Sequence, residues 1–218
     1  MDSVIETVLR EYDQRAAGEM KRMQELPPAE MMKHIDDFLL PVGPATGQLM
    51  NILIKESKAK TILEIGTYHG AGALHWAGNA QDAEVYTLDL SSAAAPQLPT
   101  TDVDRSFVTG HAETRSMFFE GKPEAARIHS LFGDSATFDF SPFSGKIDLL
   151  FIDGAHSYEY VRNDTLRGMK CCNPGSIIAW HDYGRVGFNG VSKWLHEFSQ
   201  QGKAIYRIPG GSLAYTRL

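Results

Sequence analysis

Disulfide chemistry is the first thing this chain lacks. It holds two cysteines in 218 residues, Cys171 and Cys172, and they are neighbours. Adjacent cysteines rarely bridge each other, so both are expected as free thiols at a helix end. A basic excess is missing too. The net charge of −6 and the pI near 5.7 argue against a nucleic-acid surface. No apolar run approaches the ~20 residues of a membrane helix. The start, Met1-Asp2-Ser3-Val4-Ile5-Glu6, has neither the basic flank nor the apolar core of a secretory signal. A cytoplasmic location is expected, with no membrane partner. The G-x-G-x-x-G pattern that cradles a pyrophosphate is also absent from the one glycine turn that matters.

That turn lies in Thr61-Ile62-Leu63-Glu64-Ile65-Gly66-Thr67-Tyr68-His69-Gly70-Ala71-Gly72. A branched apolar run reads as a buried strand, and the glycines as a turn. Leu74, Trp76 and Ala77 begin a helix. This is the first unit of an open α/β sheet. Glycine allows close backbone approach to a ligand, and the helix start offers free N–H groups. Glu64 stands inside the strand, where a structural residue would be apolar. His69, in the turn, is a further possible cofactor contact.

With 43% hydrophobic and 22% charged residues, the composition is that of an ordinary globular domain. Residues 2–24 carry an apolar helical stripe at Val4, Ile5, Val8, Leu9 and Tyr12. Pro27-Pro28 ends it, and a second helix spans 29–40. This 1–40 segment is expected as a lid, a dimer contact or simple packing on the 41–218 domain. After the turn at 41–44, residues 45–57 read as a helix. Further strands are expected at 84–89, 128–133, 147–153 and 176–180. Helices are expected at 158–171, ending at Asn173-Pro174-Gly175, and at 191–200. Residues 91–104 read as an irregular insertion, and 107–120 as ambiguous, with a short helix around 112–119. Residues 204–208 and 213–218 flank Pro209-Gly210-Gly211-Ser212 as a closing hairpin. The fold class is therefore α/β: a Rossmann-like, mostly parallel seven-stranded sheet, helices on both faces, and a C-terminal antiparallel hairpin.

Ligands bind beyond the carboxyl ends of such strands. Glu64 and Gly66, Asp89, Asp134, Asp153, and His181 with Asp182 all lie at or near those ends. Together they predict one site. Asp89 closes the second strand, where a carboxylate can accept both hydrogen bonds of a ribose diol. Asp153, His181 and Asp182 offer a donor set for a divalent cation, which would lower the pKa of a bound hydroxyl. His181-Asp182 reads equally as a hydrogen-bonded pair that caps a strand. His156, with an ordinary pKa near 6.5, suits a general base at neutral pH. Tyr158 and Tyr160 line a pocket or simply pack, and Asp164 reads as a helix-face charge. His34, His75, His111, His129 and His196 form no cluster.

The motifs Leu63-Glu64-Ile65-Gly66-Thr67 and Phe151-Ile152-Asp153-Gly154-Ala155-His156-Ser157-Tyr158, with Pro174-Gly175 and His181-Asp182, have a familiar pattern. They resemble class I S-adenosylmethionine (SAM) methyltransferases of the methyltransferase domain 24 group, related to metal-dependent catechol- and caffeoyl-CoA-type O-methyltransferases. The resemblance covers roughly residues 41–218. It implies SAM as cofactor, with Glu64, Gly66 and Thr67 around its amino-acid portion, Tyr68 and Gly70 as further cofactor-binding residues, and Asp89 at the ribose. Asp134-Ser135 would border the adenine, and Asp153 would reach both the methyl-sulfonium and the metal. His181 and Asp182 would complete a site for Mg²⁺, Mn²⁺ or Zn²⁺, and His156 would stand where these relatives keep a base. Two positions depart from the pattern: His181 replaces an acidic ligand, and Gly72 replaces the usual serine. The implied reaction is methyl transfer to a hydroxyl of a small-molecule acceptor, with a homodimer as the expected assembly. Rival readings are an NAD-dependent oxidoreductase, a non-catalytic SAM- or nucleotide-binding module, and a metal-independent N- or C-methyltransferase.

Overall fold

Two strands with apolar side chains on both faces set the architecture. The computed structural model describes residues 44–91, 94–102, 104–105, 118–185, 188–207 and 211–218. In β1 (Thr61–Ile65) and β4 (Ile147–Ile152) almost every side chain is buried. Such runs require layers of helix above and below. Helix α1 (Pro44–Ser57) and helix α2 (Ala71–Asn79) supply one layer. Leu49, Leu53, Trp76 and Ala77 pack there on Ile62, Leu149 and Phe151. Helix α3 (Tyr158–Met169) and helix α4 (Asn189–Gln200) supply the other. Val161, Trp194, Leu195 and Phe198 pack on Leu63, Leu150 and Ile178. From Ile62 in β1 and from Leu149 in β4, alternate residues thus go to different cores.

The sheet is completed by β2 (Glu84–Asp89), β3 (Ile128–Phe132), β5 (Cys172–Trp180), β6 (Tyr206–Arg207) and β7 (Ala214–Arg217). Its order is β3-β2-β1-β4-β5-β7-β6. The first five strands run parallel, and β7 pairs antiparallel with both β5 and β6. The order reverses between β1 and β4, which opens the crevice in which this topology binds ligands.

Several expected boundaries shift. Helix α2 begins at Ala71, because Gly70 takes the left-handed conformation (φ 84°) that starts it. Helix α3 stops at Met169, and Asn173-Pro174-Gly175 belongs to β5. The β4–β5 register slips between Ile147 and Leu149, and this irregularity absorbs Pro174 and the positive-φ Gly175. The hairpin strands shorten to 206–207 and 214–217. Both cysteines are free, and burial pushes the Cys172 thiol up to about 12. Among the described residues no helix is long and apolar enough to cross a membrane. The helices expected in residues 1–40, and most of the one expected around 112–119, lie outside the described residues.

Candidate active site

Gly66 ends β1 with φ 104°, and its N–H donates to Leu88 O at 2.8 Å. A Cβ at this position would stand 2.1 Å from Asp153 O. The glycine is therefore demanded by the neighbouring backbone of Asp153, whose own N–H donates to Ile65 O. The Asp153 backbone is thus a close neighbour of this glycine in addition to any ligand. Tyr68 is also left-handed (φ 49°), and its N–H donates to Asp89 Oδ2 at 3.1 Å. Asp89 Oδ1 accepts from Leu90 N, which holds the carboxylate at the β2 end.

Glu64, expected around the amino-acid portion of the cofactor, is engaged within the chain. Its position in β1 turns it toward α2. There Oε1 accepts from Trp76 Nε1 at 3.0 Å and Oε2 from Thr87 Oγ1 at 2.6 Å. Thr67 extends the chain through a 2.6 Å hydroxyl contact with Thr87. Glu64 is 2% exposed, and burial pushes its carboxyl from 4.5 up to about 8 against the pull of those two bonds. Its carboxylate is thus tied into the chain beside the turn.

Asp134 closes the far side of the crevice. It accepts from Gln97 N at 2.7 Å, Tyr160 Oη at 2.9 Å and Ala136 N at 2.8 Å. Tyr160 therefore belongs to the site's wall, and burial pushes its phenol up to about 12. Tyr158 instead packs outward, donating to Glu197. Asp164 is no surface charge. It is fully buried, held by Ser135 and Asn163, with its pKa raised by burial to about 6. It shares the inward stripe of α3 with Val161, Thr165 and Gly168.

The ends of β4 and β5 bring Asp153, His156, His181 and Asp182 together. His181 Nδ1 lies 3.1 Å from Asp153 Oδ1 and 3.4 Å from Asp182 Oδ1. The candidate ligand atoms of Asp153, His181 and Asp182 all lie within 4.8 Å of one another, a grouping that could hold a metal ion. Two carboxylates and an imidazole suit Mg²⁺, Mn²⁺ or Zn²⁺. His156 Nε2 lies 2.8 Å from Asp182 Oδ2. Its Nδ1 is 2.7 Å from Asp104 Oδ1, which also accepts the His156 backbone N–H. Burial disfavours charge on His156, but the bonds to Asp104 and Asp182 outweigh it and raise the pKa to about 9. His156 is thus charged at neutral pH here, contrary to the ordinary value assumed for a base. In His181 burial is likewise outweighed by the Asp153 charge and bond, giving about 10. Asp182 resists burial through the same two histidines and is held well below the usual carboxylate range.

Asp104 and Arg185 escaped the sequence reading. Asp104 did carry a signal: Thr101-x-x-Asp104 is a capping box, with Thr101 N donating to Asp104 Oδ2 and Asp104 N to Thr101 Oγ1. Its second oxygen is the one that reaches His156. Gly190, at the start of α4, is the third unforeseen part. A Cβ there would lie 2.3 Å from His156 O and 2.4 Å from Tyr158 N.

This sheet order and crevice can be compared with known proteins. The family described as a methyltransferase domain matches residues 63–183, more than half of the chain. The chain belongs to this family. The match runs from the β1 turn through the His181-Asp182 pair, and it does not favour the oxidoreductase reading. A curated relative, the "Probable O-methyltransferase Rv1703c" of Mycobacterium tuberculosis, is 35% identical over 72 residues. That alignment covers 30% of this chain and 31% of the relative. Among solved structures, a Staphylococcus aureus protein provisionally described as a caffeoyl-CoA O-methyltransferase aligns with a TM-score of 0.62 at 14% identity. It covers 94% of this chain and 99% of its own. The O-methyltransferase TomG of Streptomyces achromogenes, solved with SAM, aligns with a TM-score of 0.55 at 20% identity, covering 84% of each chain. At these identities the structures establish the shared fold.

Proposed function

We propose that this protein transfers the methyl group of SAM to a hydroxyl of a small molecule, at a site assisted by a divalent cation. One observation carries the reading. The glycine turn and the acidic–histidine cluster share a backbone contact, since Gly66 lies against Asp153 and Asp153 N–H donates to Ile65 O. A cofactor on the turn and an acceptor on the cluster would meet across that contact, and such proximity supplies much of the barrier lowering. The names of the relatives, O-methyltransferases, support oxygen as the acceptor atom.

The reaction asks little covalent chemistry of the chain. Bound SAM would supply an electrophilic methyl, and its transfer to the acceptor oxygen would form a C–O bond as the C–S bond breaks. S-adenosylhomocysteine leaves, and the hydroxyl proton needs a base. Asp153, His181 and Asp182 would hold the cation, which would lower the pKa of a bound hydroxyl. Asp89 offers its oxygens to the ribose, and the Tyr68–Gly70 backbone frames the amino-acid portion. His156 would serve as base only after giving up the proton that its bonds to Asp104 and Asp182 keep on its ring; a dication on Asp182 would weaken one of those two bonds.

The test is calorimetric titration of metal-stripped protein with S-adenosylhomocysteine, without and with Mg²⁺, Mn²⁺ or Zn²⁺. It is followed by transfer from labelled SAM to phenolic and sugar hydroxyls. Cofactor binding is expected in both conditions, with a cation signal lost in Asp182→Asn. No cofactor binding in either condition would overturn the reading.

A further inference from the structure

The Asp182 carboxylate is already served by two cations of the chain itself. His156 holds Oδ2, and Arg185 Nη1 holds Oδ1 at 2.6 Å. The oxygen taken by Arg185 is the one that faces His181 Nδ1. Arg185 therefore sits on the atom through which Asp182 joins the other two candidate ligands.

We propose that Arg185 is a built-in counter-cation that competes with a divalent ion for Asp182 and so sets the cation affinity of the site. The proposal rests on the reading of Asp153, His181 and Asp182 as a cation site. Three features favour it. The turn delivers Arg185 to this place: Asp182 is left-handed (φ 59°), and Arg185 N–H donates to Asp182 O at 3.3 Å. The partners are also unequal in exposure. The Arg185 side chain is 54% exposed and that of Asp182 5%, so the arginine can swing into water while the carboxylate stays fixed. Finally, the guanidinium rests 5.1 Å above the Phe188 ring, whose centroid lies 4.4 Å from that of the His156 ring. That stack gives Arg185 a stable seat beside the cluster. A guanidinium bonded to Asp182 Oδ1 repels an arriving dication, and the carboxylate for which the two compete is itself buried. An arginine that merely oriented Asp182 would have the opposite effect, because its removal would loosen a ligand.

The sign of the effect decides between these roles. The probe is Mn²⁺, titrated by calorimetry and by the paramagnetic resonance of the free ion, at one fixed pH. In Arg185→Met the dissociation constant for Mn²⁺ is expected to fall at least tenfold. Arg185→Lys, which keeps the charge, is expected to bind like the wild type. Unchanged or weaker binding in Arg185→Met would overturn the proposal. So would an Arg185→Lys protein that follows Arg185→Met, since packing on Phe188 would then be the cause. If no variant and no wild-type protein bound Mn²⁺, the cation site itself would fall and the proposal with it. If Arg185→Met unfolds, Arg185→Gln reads the same sign with a polar side chain of similar reach.

Discussion

Glu64 shows how much a single residue's setting decides. A strand-end acid near a glycine turn looks like a cofactor ligand by type and spacing. The two-residue period of β1 nevertheless sends it under α2, into the Trp76 and Thr87 bonds. Burial raises its pKa from 4.5 to about 8, so the folded chain holds this proton more tightly than the unfolded one. The associated stability is fully present below about pH 4.5 and is lost as pH rises through 8. Glu64→Gln removes that titration while keeping an acceptor and a donor in place. The variant's melting temperature relative to wild type is expected to climb between pH 5 and pH 8. Parallel melting curves across that range would show that Glu64 does not carry the shift. The period that places Glu64 was present in the sequence; the more familiar cue of an acidic strand end masked it. Asp164 is similar, because its spacing from Val161, Thr165 and Gly168 already marks the inward face of α3.

Among the elements, the strands were the legible part. β1 and β4 are covered on both sides, so their apolar runs stand out, and Asp153 follows the second of them directly. The same logic located His181 and Asp182 at the end of β5. Its start was misjudged, because a bulge can house Pro174 in a way no local propensity reveals. The loop contributions were invisible for a different reason. Arg185 meets Asp182 only because the intervening turn is left-handed, and Asp104 meets His156 across 52 positions of chain. The approach of α4 to the His156 segment depends on Gly190 in the same tertiary way. Alanine at a helix interior gains about 1 kcal/mol over glycine. The 2.3 Å backbone clash at this position is expected to outweigh that gain, with a net loss of ~1–3 kcal/mol. Urea denaturation of Gly190→Ala checks the sign. A variant as stable as wild type, or more so, would mean that α4 does not bear on residues 156–158.

At the scale of the whole molecule, the strand order puts β1, β4 and β5 in the interior of the sheet, with β3 and β6 at its edges. Asp153 and His181 are themselves part of that interior. Their amide protons go to Ile65 O and Ile152 O, in continuation of the parallel ladders. The cover of the site is held differently. Gln97 is attached by its amide to the side chains of Asp134 and Tyr160, and Arg185 by one turn. Native-state hydrogen exchange should therefore divide the site in two. Amides of Asp153 and His181 are expected to exchange with the slowest class of the protein, and those of Gln97 and Arg185 orders of magnitude faster. Equal rates in both groups would contradict this division. The acidic centre thus has the lifetime of the fold itself, whereas the groups that close over it can come and go many times without the centre ever coming apart.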